Sequence, residues 1–182
     1  MSNSDLSPEE WLGREDIVAR EGRLSRLKWL ESKTPRVGYW LFRGGMMSKH
    51  LFEEARYCFV YGQFLAAIVL GLAFIEHTLA GLFYMAGRND LERASISKLL
   101  REALNYNWIT PMEYEHIERA RQIRNSVTHF RKPLDDDTIE KRLVLENELP
   151  YTIIEEDAQN VMEIVLHLLG TSLLSVPDDE TE

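Results

Sequence analysis

Apolar residues recur every three or four positions along most of this chain, and this spacing predicts an all-helical bundle of four or five helices. The longest apolar segment covers residues 51–85 and is expected to form the central and most buried helix. Gly62, Gly71 and Gly81 lie within it, where they either permit close helix approach or break the helix near Tyr61 and Gly62. Neither an internal repeat nor a low-complexity segment is present.

Two predicted helices begin with the same combination of residues: a capping hydroxyl, a proline at the first helical position and a glutamate at the third. The first is Ser7-Pro8-Glu9-Glu10 and the second is Thr110-Pro111-Met112-Glu113. The first helix is expected to end near Lys33, because Thr34-Pro35 follows.

The other segments differ in how clearly they predict a structure. Helical spacing returns over residues 96–104 and from about residue 157 onward, whereas residues 37–49 are rich in glycine and indicate a loop. Residues 138–156 allow two interpretations, a small β-hairpin or a charged loop with a short helix. The predicted organisation is an N-terminal helix with a glycine-rich loop (1–51), a helical bundle (52–175) and an acidic tail (176–182).

Composition restricts the function classes further. The 182 residues suffice for one domain with a substantial core, and the net charge of −9 argues against nonspecific coating of nucleic acid. Cys58 is the only cysteine, which excludes intramolecular disulfides and cysteine-based zinc sites. The polar N-terminus lacks the features of a signal peptide, and the apolar run 64–75 is too short to span a bilayer, so a cytoplasmic protein outside the membrane is expected.

A basic segment interrupts this acidic chain. Residues 118–132 hold a single acid and five basic residues, which are Arg119, Arg121, Arg124, Arg131 and Lys132. The other residues must therefore carry a charge of about −13 together. Such a concentration of positive charge indicates an anion site. The alternative is a solvated helix face whose arginines pair with neighbouring acids.

Arg124 and His129 have the chemistry needed for phosphodiester cleavage. Histidine exchanges protons near neutral pH, and arginine can hold a phosphate through two hydrogen bonds. On one ideal helix the two side chains would lie about 140° apart, so either the helix loosens near Thr128 or a second element or subunit completes the site. A metal site at Glu113-x-x-His116 is a weaker alternative, because no second copy of this motif exists, and no cofactor is expected.

The segment Arg124-Asn125-x-x-x-His129 resembles the signature of the HEPN superfamily, in which an arginine, often followed by asparagine, precedes a histidine by a few residues. The order of the predicted helices is also similar. An apolar helix carrying Glu76 comes first, residues 96–104 follow, and the motif helix precedes the closing helix. The similarity covers residues 54–174 and leaves the N-terminal helix outside it.

This resemblance implies an antiparallel four-helix bundle that forms a homodimer, with the two motifs facing each other across a shared cleft. Members with an intact motif are commonly metal-independent endoribonucleases that use the ribose 2′-hydroxyl of RNA, and many act as toxins or in antiviral defence. By this resemblance, His129 would exchange protons, Arg124 would hold the phosphate and Asn125 would orient the pair.

Other residues would assist in this interpretation. Glu76 would hold Arg124, and Thr128 would support the site, while RNA would contact Arg121, Arg131 and Lys132. The expected partners are a second copy, an RNA substrate and an antitoxin or other protein. Because other members of the superfamily are binding or scaffolding domains, a non-catalytic helical domain that binds a protein or a nucleotide is the alternative expectation.

Overall fold

The computed structural model describes residues 6–34, 36, 40–128, 132, 134–135 and 138–170. These residues form seven α-helices and one short 3₁₀ turn, Asn89–Leu91, and no strand occurs among them. The helices are α1 Pro8–Lys33, α2 Gly45–Val60, α3 Phe64–Met85, α4 Ile96–Asn105, α5 Pro111–Thr128, α6 Ile139–Glu146 and α7 Pro150–Gly170. The predicted all-helical class is confirmed, but the predicted number of four or five helices is wrong, since the described residues form seven.

Helix α3 lies at the centre of the core and packs against α2, α4, α5 and α7. Its buried side chains include Leu72, Phe74, Ile75 and Phe83, each at most 1% exposed. By length and composition α3 could cross a bilayer, with a mean hydropathy of 1.9 in its most apolar window, but half of that window is buried inside the fold. The expectation that this stretch is too short to span a bilayer is therefore wrong, whereas its interpretation as a core helix agrees with this burial.

The predicted long helix 51–85 is broken at the expected position. Helix α2 ends at Val60 and α3 begins at Phe64, and Gly62 between them has φ = +75°. Glycine adopts this left-handed conformation without the steric cost that a side chain adds. The chain can therefore reverse direction here, and α2 packs along α3.

The prediction of a loop over residues 37–49 is wrong for its last part, because α2 already begins at Gly45. Residues 35 and 37–39 lie outside the described residues. Helix α2 has no side-chain cap at its start, so the local capping signal that marked α1 and α5 is missing here. Burial of Ser48, Phe52 and Ala55 against the core stabilises this first part of α2.

Both predicted capping boxes are present. The backbone N–H of Ser7 donates to the Glu10 carboxylate at 2.9 Å, and the Glu10 N–H donates to the Ser7 hydroxyl at 3.2 Å. At α5, the Thr110 N–H donates to Glu113 at 2.7 Å, and the Glu113 N–H donates to the Thr110 hydroxyl at 3.2 Å. Each pair satisfies backbone donors that the first helical turn leaves unpaired.

The hairpin considered for residues 138–156 is wrong, since this stretch holds α6 and the first turns of α7. The Thr138 hydroxyl accepts from the Lys141 N–H at 3.4 Å and caps α6, and Asn147 with φ = +52° ends it. Helix α7 begins at Pro150, seven residues before the predicted start at Asp157. A short apolar run fits a strand and a helix equally well, and burial of Ile153 at 1% exposure favours the helix here.

Gly71 brings α3 and α7 close together. A Cβ atom built on Gly71 would lie 2.5 Å from Cγ1 of Val161, closer than real Cβ contacts allow. The predicted role of this glycine in close helix approach is therefore confirmed. The apolar face predicted for α7 also lies in the core, with Ala158, Val161, Met162 and Val165 at 0% exposure.

Candidate functional site

The candidate residues extend along the C-terminal half of α5. Ile117, Ala120 and Ile123 are buried and anchor this helix against α3 and α7. Arg124 and Asn125 lie just beyond them, partly buried, and both take part in polar interactions. The core packing therefore holds the backbone of these two residues in place near the end of a rigid helix.

Part of the predicted site lies outside the described residues. His129 and Arg131 lie outside them, and so does the side chain of Thr128, the last residue of α5. The relative position of Arg124 and His129 therefore stays a prediction. Lys132 is described and exposed, and its backbone N–H donates to the Asp135 carboxylate at 3.1 Å.

Two arginines of the basic segment are ion-paired. Arg119 donates to the Glu146 carboxylate at 2.9 Å and lies 3.5 Å from Asp157, while Arg121 donates to Glu118 at 2.9 Å. The paired helix face that the sequence left as an alternative thus occurs at Arg119 and Arg121. These pairs neutralise part of the positive charge of the basic segment and so reduce what it offers to an anion.

Asp157 is the centre of an ion-pair network that the sequence did not reveal. Its side chain is 3% exposed, and its carboxylate accepts hydrogen bonds from Arg142, which also donates to Glu146 at 3.1 Å. Burial raises the pKa of the Asp157 carboxyl, and the Arg142 guanidinium acts in the opposite direction. The acids near the basic segment are therefore structural partners that join α5, α6 and α7. In the sequence, a basic run at 118–132 is followed by an acidic run at 135–157, and this order was the signal from which the network could have been inferred.

Glu118 presents a buried acceptor beside the basic face of α5. Its Oε1 atom has no hydrogen-bond partner within the described part of the chain, whereas Oε2 pairs with Arg121. Buried carboxylate oxygens are rarely left without a donor. Glu118 therefore keeps Arg121 on the helix surface and contributes a second, unsatisfied acceptor there.

Glu76 lies half-buried in the middle of α3. The expected role of Glu76 in holding Arg124 stays a prediction. His77, the next residue, is exposed.

The weaker alternative was a metal site at Glu113 and His116. The oxygens of the Glu113 carboxylate are instead engaged in hydrogen bonds. The Glu113 carboxylate accepts from Thr110 and also from Nδ1 of His167, so it joins α5 to α7. Burial acts to raise the pKa of Glu113, but the hydrogen bonds from Thr110 and His167 hold it below its ordinary value. No group of three or more His, Cys, Asp or Glu side chains suited to a metal occurs within the described ranges.

Cys58 is partly buried on α2. Burial and the nearby Glu54 carboxylate raise the pKa of its thiol. A raised pKa leaves less thiolate at neutral pH, so Cys58 is a poor nucleophile. This agrees with a packing role.

Comparisons of this chain with protein-family models, with curated proteins and with solved structures found no match. A functional interpretation therefore depends on the chemistry of the chain's own residues. The strongest feature is the Arg124-Asn125 pair near the end of α5, a few residues before His129.

Proposed function

We propose that this protein is a metal-independent endoribonuclease that acts as a homodimer, with Arg124, Asn125 and His129 as catalytic residues. The observation that carries the proposal is the Arg124-Asn125 pair near the C-terminal end of α5, which His129 follows in the sequence. Ile117 and Ile123 anchor this helix against the core. A rigid helix holds a catalytic arginine more precisely than a loop does.

The proposed reaction is a transfer within the RNA chain. His129 removes the proton from a ribose 2′-hydroxyl, and the 2′-oxygen attacks the adjacent phosphorus. Arg124 donates hydrogen bonds to the non-bridging phosphate oxygens and stabilises the extra negative charge of the pentavalent state. The bond from phosphorus to the 5′-oxygen breaks, and His129 of the second copy supplies the proton to that oxygen. The products are a 2′,3′-cyclic phosphate and a 5′-hydroxyl.

A bundle of α3, α4, α5 and α7 is the fold that accompanies this proposal. Its support is that α3 packs against each of the other three and that α5 packs against α7. Arg131 and Lys132 would add contacts to the RNA backbone, and Arg121 would do so after release from Glu118. An antitoxin or another protein would regulate a nuclease of this kind in the cell.

A non-catalytic interaction domain is the second candidate, and two observations favour it. Arg119 and Arg121 are already paired with acids, which reduces the charge available to RNA. Large apolar side chains on α1 are exposed, with Ile17 at 77% and Trp11 at 48%. Exposed apolar side chains in such numbers indicate a surface that binds a protein.

The test is cleavage of a mixed RNA pool by the purified protein in EDTA, compared with Arg124→Ala and His129→Ala. Wild-type protein should cleave, and both variants should lose at least a hundredfold in rate, because each removes a group that acts in the transition state. The new ends should carry 2′,3′-cyclic phosphate. Arg101→Ala and His50→Ala, which change exposed residues of the same types on α4 and α2, are the matched controls.

Each outcome separates the candidates. Cleavage that survives both substitutions would place the activity elsewhere or in a contaminant, and cleavage that requires added metal would contradict the mechanism. If the folded protein leaves every RNA intact, the interaction domain becomes the better proposal.

A further inference from the structure

The N-terminal part of α1 projects from the rest of the fold. Every residue of the segment 8–18, hereafter the arm, is exposed, and α1 contributes only Leu30 to the buried core. The arm is about 16 Å long, since each helical residue adds about 1.5 Å. It nevertheless carries Trp11, Leu12, Ile17 and Val18, with 48–77% of each side chain exposed.

A helical segment that extends away from the core is stable only when its apolar side chains pack against another surface. Helices shorter than about 12–15 residues are marginal in water, and most helical stability in proteins comes from packing of an apolar face. Ile17, Leu24 and Leu27 lie within about 80° of one another around α1, because each residue advances by about 100°. They form a stripe that continues from the arm into the part of α1 that packs on α2.

The groove between α1 and α2 is a concave apolar surface that could cover the exposed side chains of the arm. Leu27, Tyr57 and Tyr61 line a cavity of about 380 Å³, and Leu24 and Leu27 line an adjoining one of about 220 Å³. These side chains are exposed, and the two tyrosine rings stack with centroids 4.3 Å apart. The rim of this α1–α2 groove is basic and consists of Arg20, Arg23 and Arg56.

The charges of the arm and of the groove are opposite. The arm holds four acids and one base, the acids being Glu9, Glu10, Glu15 and Asp16. Glu53 is the acid that lines the groove, and it pairs with Lys49 at 3.6 Å. An acidic helix with apolar side chains and an apolar groove with a basic rim are complementary surfaces, and both belong to the same chain.

We propose that α1 joins two copies of this chain, with the arm of each copy lying in the α1–α2 groove of the other. The two α1 helices would run antiparallel about a twofold axis near Ile17 and Val18, so that the same surface serves both copies. This register brings Glu9, which lies on the same side of α1 as Leu27, near the basic rim of the second copy. The inference does not depend on the proposed ribonuclease activity.

The charges that would attract the two copies are available for this purpose. Glu9, Glu15, Arg20 and Arg56 are exposed and take part in none of the ion pairs recorded among the described residues. Glu10 and Asp16 are different, because Glu10 closes the capping box and Asp16 pairs with Arg23 at 3.0 Å. Substitutions at the first four positions therefore change the proposed contact without breaking an internal one.

The test uses two charge-reversed forms of the full chain, Glu9→Lys/Glu15→Lys and Arg20→Glu/Arg56→Glu. Light scattering coupled to size-exclusion chromatography should give a dimer mass for the wild type. Each reversed form should be a monomer at the same concentration, because its arm and its groove then carry like charges. An equimolar mixture should recover the dimer, since the basic arm of one form matches the acidic groove of the other. Circular dichroism checks that both forms keep their helical content.

Two results would overturn this proposal. One is a wild-type monomer at every concentration up to about 1 mM, well above the dissociation constant of a specific dimer. The other is a dimer that persists in both reversed forms, which would assign dimerisation to another surface. That second result leaves the proposed ribonuclease intact, because its composite site needs only that α5 faces α5.

Discussion

Asp157 on α7 is held by Arg142 on α6 and by Arg119 on α5, although its side chain is only 3% exposed. A buried carboxylate is stable in the folded state only when cations and donors compensate for its lost hydration. Three helices therefore converge on one charge. Substitution of Asp157 is therefore expected to affect the packing of all three helices.

Asp157→Ala is expected to destabilise the protein by about 3–5 kcal/mol, because it leaves Arg142 partly buried without its main partner. Asp157→Asn should cost less, since the amide oxygen can still accept one hydrogen bond. Urea unfolding followed by circular dichroism measures both values. Glu156→Ala, at the exposed neighbouring position, should stay within about 0.5 kcal/mol of the wild type. Equal effects at both positions would contradict a structural role of the network.

The free energy of unfolding is expected to fall in acid because of Glu113. Despite the opposing effect of burial, its hydrogen bonds with Thr110 and His167 hold its pKa below the ordinary value, so the folded state favours the charged form. This contribution is complete above the ordinary pKa of a glutamate, about 4.5, and is lost as the pH falls through the lower folded pKa. Glu113→Gln should therefore cost about 0.5–2 kcal/mol near pH 7 and progressively less as the pH falls below about 4.5.

The measurement is the free energy of unfolding of both forms between pH 3 and pH 7. Glu115→Gln, on an exposed position of the same helix, is the matched control. A difference between wild type and Glu113→Gln that is independent of pH would show that charge at Glu113 has no part in stability.

Gly71 predicts a steric effect at the contact of α3 with α7. Gly71→Ala places a Cβ atom about 2.5 Å from Val161, so one of the helices must shift, at a cost of about 1–3 kcal/mol. Thermal unfolding of the variant and of the wild type measures this cost. An unchanged midpoint would contradict a close contact of α3 with α7 at Gly71.

The proposed reaction is expected to require the guanidinium group of Arg124. Arg124→Lys keeps the positive charge but loses the two parallel hydrogen bonds to phosphate, so kcat should fall by about a hundredfold. Single-turnover cleavage of a defined RNA measures this change, with Arg101→Lys as the control. If Arg124→Lys cleaves as fast as the wild type, Arg124 supplies charge alone and its proposed role in phosphate orientation is wrong.

Several elements could be predicted because their causes are local. The capping boxes at Ser7 and Thr110 involve residues three positions apart, so their sequence signature is complete in itself. The break at Gly62 has the same character, since a left-handed residue is recognised by its missing side chain. Burial of α3 followed from its largely apolar composition.

Other elements could not be predicted because packing decides between two local possibilities. The run around Ile153 fits a strand as well as a helix, and its burial in the core selects the helix. Helix α2 lacks a capping residue, and its first turn depends on Phe52 and Ser48 contacting the core. The predicted starts of α2 and α7 were wrong for this reason.

The sequence by itself determined the all-helical class, most helix boundaries and the Arg124-Asn125-x-x-x-His129 segment, because these depend on residues three to five positions apart. Only the tertiary structure decided which charges are neutralised. Arg119 meets Glu146 across 27 positions of the chain, and Asp157 meets Arg142 across 15. Contacts at such separations arise from how helices pack, and no local pattern encodes them. The same reason makes the exposed face of α1 visible only in the folded chain.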